Sequence, residues 1–181
     1  MIREWLLLSY TLPAEPSSKR VLVWRHLRKM GALLDSGVWL LPRSPALETE
    51  FEAAVAEIAE LGGRPLAFNA SDLTEQQHHE LRNAFNKVRA EEYVDLMQRC
   101  DRFLGHVQRL IDQADFKFAA VEELEEDLEK RRRSFAQLIS RDVFEVPERR
   151  QVEDCIKRCE SALTRFVEAA FAATTKASEL P

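Results

Sequence analysis

Gly31-Ala32-Leu33-Leu34-Asp35-Ser36-Gly37-Val38-Trp39-Leu40-Leu41-Pro42 is the stretch that decides the fold. Two apolar runs too short for helices flank Asp35-Ser36-Gly37, and a glycine-containing turn between such runs predicts a β-hairpin that ends at Pro42. Upstream, Val21, Trp24 and Leu27 recur on one face while Arg25, Arg28 and Lys29 gather on another. That spacing predicts an amphipathic helix with a basic outer face, capped by Ser17 or Ser18. Before it, Trp5 to Leu12 is an apolar run closed by Pro13 and Pro16, a first strand. Downstream of the hairpin, Ser44 supplies an N-cap with Pro45 at the first helical position, and Leu47, Phe51, Ala54, Val55, Ile58 and Leu61 form an apolar stripe. Gly62-Gly63 stops this helix, and Pro65 to Ala70 reads as a fourth strand with Leu66 and Phe68 turned inward. The order βαββαβ is a ferredoxin-like split βαβ unit, assigned to residues 1–72.

From Ser71 onward glycine almost vanishes. Asp72 with Glu75 forms a capping box, and an apolar register then runs from Leu81 through Tyr93, Cys100 and Phe103 to Leu110. A break near Ala114-Asp115-Phe116 precedes a second helix carrying Leu124, Leu128, Phe135 and Leu138. Pro147 separates a third, carrying Val152, Ile156, Cys159, Leu163 and Phe166. Each has one apolar face that needs a partner, so residues 73–181 are expected to form a bundle of three long antiparallel helices, with a frayed tail after Ala173. The fold class is α+β. The sheet face opposite the two front helices is too apolar to meet water, so the long helices or a second subunit should cover it.

The 181 residues carry a net charge of −5, but the front is basic. Up to Arg43 there are seven basic side chains (Arg3, Lys19, Arg20, Arg25, Arg28, Lys29, Arg43) against Glu4, Glu15 and Asp35. Such an asymmetry allows nucleic-acid contact at the front while excluding a general nucleic-acid coat. Three cysteines, an odd number, argue against a disulfide framework and for a reducing, cytoplasmic setting. The run Trp5-Leu6-Leu7-Leu8 is too short for a signal-peptide core, and no stretch approaches the ~20 apolar residues of a membrane span.

The remaining candidate motifs each have a plain structural explanation. Arg131-Arg132-Arg133 has Asp127 and Glu129 four residues before its first and last members, the favourable orientation for helical ion pairs. Cys155 and Cys159 share a helix face at a spacing that could hold a metal or meet a soft oxidant, yet they fall in an apolar stripe where free cysteine packs as a small hydrophobe. His78-His79 has no carboxylate or cysteine pattern around it, so zinc is not expected. No nucleophile elbow, phosphate loop or glycine fingerprint is present. The expectation is therefore a protein that is not an enzyme, with no catalytic residues, no metal and no cofactor.

The segment Trp5 to Pro13, the residues Arg20 to Leu27 and the stretch Gly31 to Pro42 together resemble the N-terminal domain of ChrB-type chromate-resistance regulators. The resemblance continues in Leu138-Ile139-Ser140-Arg141-Asp142-Val143-Phe144, which is similar to the Arg-Asp-aromatic-Phe element of that family, with Val143 in place of the usual aromatic. The strand-helix-hairpin pattern also resembles the C-terminal domain of PaaX-type phenylacetate repressors and, more distantly, CRISPR-associated spacer-acquisition nucleases. Those nucleases place a metal-binding aspartate at the end of the first strand, where this chain has Tyr10-Thr11-Leu12. What the resemblance implies is a transcription-regulator-like module of chromate resistance that binds promoter DNA as a homodimer. Lys19, Arg20, Arg25, Arg28 and Lys29 would then contact DNA phosphates. The alternative is an interaction or oxyanion-sensing module that does not bind DNA, in which Arg20 and Arg43 hold chromate or sulfate.

Overall fold

The structure is a computed structural model that describes residues 4–178. In chain order the elements are β1 (Trp5–Thr11), α1 (Ser17–Lys29), β2 (Leu33–Asp35), β3 (Val38–Pro42), α2 (Pro45–Glu60), β4 (Arg64–Ala70), α3 (Glu75–Asp112), α4 (Phe118–Arg141) and α5 (Glu148–Ser178). The chain is thus α+β, with one antiparallel sheet and five helices among the described residues. It divides into two compact units, Met1–Val88 and Arg89–Pro181. The division falls inside α3 rather than at 72/73, because the first turns of α3 pack on β1: the Trp5 indole donates to His78 Nδ1 at 3.1 Å and meets the Phe85 ring edge-on at 6.3 Å.

In the front unit the strands lie in the order β2-β3-β1-β4, all neighbours antiparallel. The predicted hairpin turns on Ser36 and Gly37, both with positive φ (48° and 80°), the geometry of a tight two-residue connection. Leu6 and Leu8 face α2, whose Leu47, Phe51, Ala54 and Ile58 are buried. Ser44 caps α2 by accepting from the Leu47 amide at 3.4 Å. At the other end of α2, Gly62 and Gly63 donate to Ala59 and Ile58, closing the helix as expected. Gly63 also has no room for a side chain, since a Cβ there would lie 2.6 Å from the Thr11 carbonyl oxygen. Trp5, on the other face of β1, is fully buried by residues of α3, so the long helix does cover part of that face. Burying an indole takes roughly 200 Å² out of water and contributes about 5 kcal/mol before ordering costs.

Four local expectations are corrected. The buried face of α1 is Val23, Leu27 and Met30, not Val21, Trp24 and Leu27; Val21, Leu22 and Trp24 are about half exposed. Leu27 belongs to both stripes, and α2 packs on the one that includes the smaller Val23. Leu66 and Phe68 are exposed, because they pair with Ser9 and Leu7 on the face away from α2 and lie on an edge strand. The N-terminal capping box of α3 is Thr74 with Gln77, two residues later than Asp72 with Glu75: Gln77 N donates to Thr74 Oγ1 and Thr74 N to Gln77 Oε1. Residue 16, a proline, precedes α1, and neither Ser17 nor Ser18 caps it by a side-chain bond.

In the second unit, the later part of α3 shares one core with α4 and α5, centred on Tyr93, Leu96, Phe103, Leu128, Ile156 and Phe166. The connection between α3 and α4 turns at Ala114, with φ at +50°, where the sequence placed a break. Arg131 and Arg133 pair with Asp127 and Glu129 at 3.2 and 3.0 Å, and Arg132 reaches Glu160 of α5 at 2.6 Å. The arginine run is spent on helix and interhelix pairing. Cys100 and Cys159 are fully buried and Cys155 is partly buried, so all three thiols sit in or beside this core. The helix α5 continues past Ala173 to Ser178, beyond where fraying was expected; residues 179–181 lie outside the described residues.

Candidate nucleic-acid interface

The exposed side of α1 follows directly from which face α2 covers. With Val23, Leu27 and Met30 turned in, Arg20, Trp24, Arg25, Arg28 and Lys29 stay on the solvent side. Arg28 lies over the Trp24 ring, 5.7 Å from its centroid, which orders the guanidinium beside an exposed indole. On the side of α1 turned toward α2, His26 Nδ1 meets Glu57 Oε2 at 2.6 Å and pins the helix to the unit. Lys19 points elsewhere: its ammonium donates to the Leu61 carbonyl at 3.0 Å, satisfying the C-terminal end of α2. Of the five basic residues proposed for DNA, four share an exposed helix surface and Lys19 is engaged in the fold. Trp24 is the functional candidate that the sequence pattern hides, because it also fits an apolar stripe with Val21 and Leu27. The signal that could have placed it outside is the competing i, i+4, i+7 stripe Val23, Leu27, Met30.

Arg20 and Arg43 are not brought together. Arg43 follows β3 at the start of β1, where it pairs with Glu4 and with Glu48 at 2.8 Å. Those two carboxylates raise the guanidinium pKa still further, Glu48 more than Glu4. Arg20 lies in the first turns of α1, beyond the other end of β1, and a seven-residue strand spans about 20 Å.

The Arg141-Asp142 element singled out by resemblance forms a buried polar turn in the helical unit. Asp142, only 4% exposed, follows α4 and accepts from Tyr93 Oη at 3.1 Å and from the Val146 amide at 3.2 Å. Burial raises its pKa, partly opposed by the Val146 and Tyr93 bonds. Burial, followed by the neighbouring Asp142 charge, pushes the Tyr93 phenol well above its ordinary value. Beside them Glu92 bridges Arg89 and Arg141, at 3.2 Å to each. Every ionised group here has an oppositely charged or hydrogen-bonding neighbour, so the turn reads as the clasp between α3, α4 and α5. Farther along α3, the Cys159 thiol donates to the Cys100 carbonyl at 3.7 Å, and its contact with the Cys100 thiol together with burial raises its pKa. Among the described residues no group of histidine, cysteine and carboxylate side chains is placed to hold a metal ion, and no helix is long and apolar enough to cross a membrane.

A four-stranded antiparallel sheet, a helix whose exposed side is rich in arginine, lysine and tryptophan, and a unit of long helices define an α+β protein with a cationic and aromatic surface on α1, in a chain whose net charge is −5. The family model described as Protein ChrB, N-terminal, matches residues 20–177, and the chain belongs to that family. It is 32% identical over 94 residues to Protein ChrB of Cupriavidus metallidurans, a match that takes in 51% of this chain and 28% of that protein. No solved structure matches the chain.

Proposed function

We propose that this chain is a DNA-binding, transcription-regulator-like module associated with chromate resistance, acting in the cytoplasm without catalytic chemistry of its own. The observation that carries the reading is the exposed surface of α1, where Arg20, Arg25, Arg28 and Lys29 are exposed together with Trp24 and Arg28 lies over the indole, in a chain of the Protein ChrB family. Cationic side chains on one helix face supply sequence-independent attraction to phosphates, and an exposed indole adds a flat apolar contact. On this reading the strand order β2-β3-β1-β4 with the chain order βαββαβ is a ferredoxin-like platform for α1. The long helices are an antiparallel bundle through which two copies associate, giving the DNA two basic helices. The engagement of Arg43 by Glu4 and Glu48 weighs against the oxyanion alternative.

The test is a binding titration on duplex DNA from the neighbouring promoter at several salt concentrations. Replacing Arg25, Arg28 and Lys29 by alanine should weaken binding and reduce the salt slope by about one for each phosphate no longer neutralised, with unchanged circular dichroism. A folded triple variant with the wild-type slope removes α1 from the interface, and a wild-type chain that binds no fragment at low salt overturns the DNA-binding reading.

A further inference from the structure

Between α3 and α5 the helical unit carries an open groove of about 590 Å³. Its floor is apolar, from Leu104, Val107 and Ile111 of α3, and its rim on α5 is cationic, from Arg158 and Arg165. The two arginines are seven residues apart, so they stand on the same side of α5 about two turns, roughly 10 Å, from each other. Lys157 also lines the groove, but Glu153 neutralises it at 3.0 Å. Such a site fits a helix face that combines one aromatic anchor with carboxylates and rejects a basic or wholly apolar one.

This chain carries such a face. Phe118 opens α4 with 75% of its surface exposed, as much as Phe171 near the end of α5. Glu122 and Glu125 follow at i+4 and i+7, on the same side of α4, and both are exposed. The ring exposed at Phe118 does not fill the groove of its own chain. We propose that the groove receives the first turns of α4 from a second copy of this chain, with Phe118 on the apolar floor and Glu122 and Glu125 against Arg158 and Arg165. A twofold axis makes the contact reciprocal, so each copy both gives and receives a helix and the assembly closes as a dimer. The inference rests on the reading that the long helices carry self-association, and is independent of DNA binding.

Sedimentation of the full chain across a concentration range tests it. Three variants are compared with wild type: Phe118→Ser, Arg158→Glu with Arg165→Glu, and Glu122→Arg with Glu125→Arg. All change exposed side chains, and thermal melts check that they stay folded. Each is expected to raise the dimer dissociation constant by about tenfold or more, and high salt should weaken the wild-type dimer. Mixing the two charge-reversed variants should restore a heterodimer, because each supplies the charge the other gave up. A dimer that persists unchanged in the reversed variants, or reversed variants that fail to pair when mixed, overturns this surface while leaving self-association standing. A wild-type chain that stays monomeric at every concentration overturns both.

Discussion

Replacing Asp142 by alanine should be among the most damaging single changes in the helical unit. The substitution strips the acceptor from two buried donors, the Tyr93 hydroxyl and the Val146 amide, at 3.1 and 3.2 Å. A hydrogen bond to an ionised partner is worth about 1.5–3 kcal/mol, and leaving buried donors unpaired adds to the loss. Against this, the variant no longer buries a carboxylate, a cost visible in the raised pKa of Asp142. The balance is a loss of about 3 kcal/mol, which at a urea dependence of about 2 kcal/mol per molar lowers the unfolding midpoint by roughly 1.5 M. Asp142→Asn keeps an acceptor oxygen of the same shape and should lose only about 1 kcal/mol. Because the fold raises this carboxyl pKa, the native chain binds the proton more tightly than the unfolded one. Stability therefore falls as pH rises between the ordinary carboxylate pKa and the raised one, and Asp142→Asn should remove that slope. Urea unfolding followed by circular dichroism, in a cycle with Tyr93→Phe, should yield a coupling of about 1 kcal/mol. A loss below about 1 kcal/mol for the alanine variant, or strict additivity in the cycle, would refute the account of this turn as a clasp.

Gly63→Ala should cost about 3 kcal/mol in thermal or urea unfolding, since the new methyl would collide with the Thr11 carbonyl and with Ile58 and Leu12 side chains. Lys19→Met should cost about 1 kcal/mol by freeing the Leu61 carbonyl of its donor, and should leave the salt slope of DNA binding unchanged. The Tyr93 phenol is held above its ordinary pKa, so the stability it contributes is complete below about pH 10 and is lost as pH rises beyond it. Unfolding measured on both sides of that pH should show the loss in wild type and not in Tyr93→Phe.

Much of the fold was legible because it rests on local chemistry. The Gly37 turn, the Ser44 cap and the Gly62-Gly63 stop depend on residues that favour the local geometry they adopt, and these, like the break at Ala114, lie where the sequence pattern puts them. What was not legible depends on partners distant in sequence. Two apolar stripes compete on α1 and share Leu27, and only the packing of α2 decides between Trp24 and Val23. Alternation in β4 is symmetric, so nothing local says whether Leu66 and Phe68 or Ala67 and Asn69 face the helices. At the candidate interface the arginines were readable as a basic face, while the engagement of Lys19 by Leu61, 42 residues away, was not. The pairing of Tyr93 with Asp142 spans 49 residues and leaves no periodic trace; the family resemblance flagged the aspartate without its partner.

The placement of the thiols in the helical core has a practical side. Cys100, Cys155 and Cys159 all belong to the second unit, whereas Trp5, Trp24 and Trp39, the three tryptophans of the chain, all belong to the first. Each unit therefore carries its own intrinsic reporter with no engineering. Indole fluorescence follows the front unit, and the rate at which a thiol reagent reaches Cys100 and Cys159 counts the openings of the helical one. Coincidence or separation of the two signals under rising denaturant measures how far the helix α3, which runs through both units, makes them melt as one.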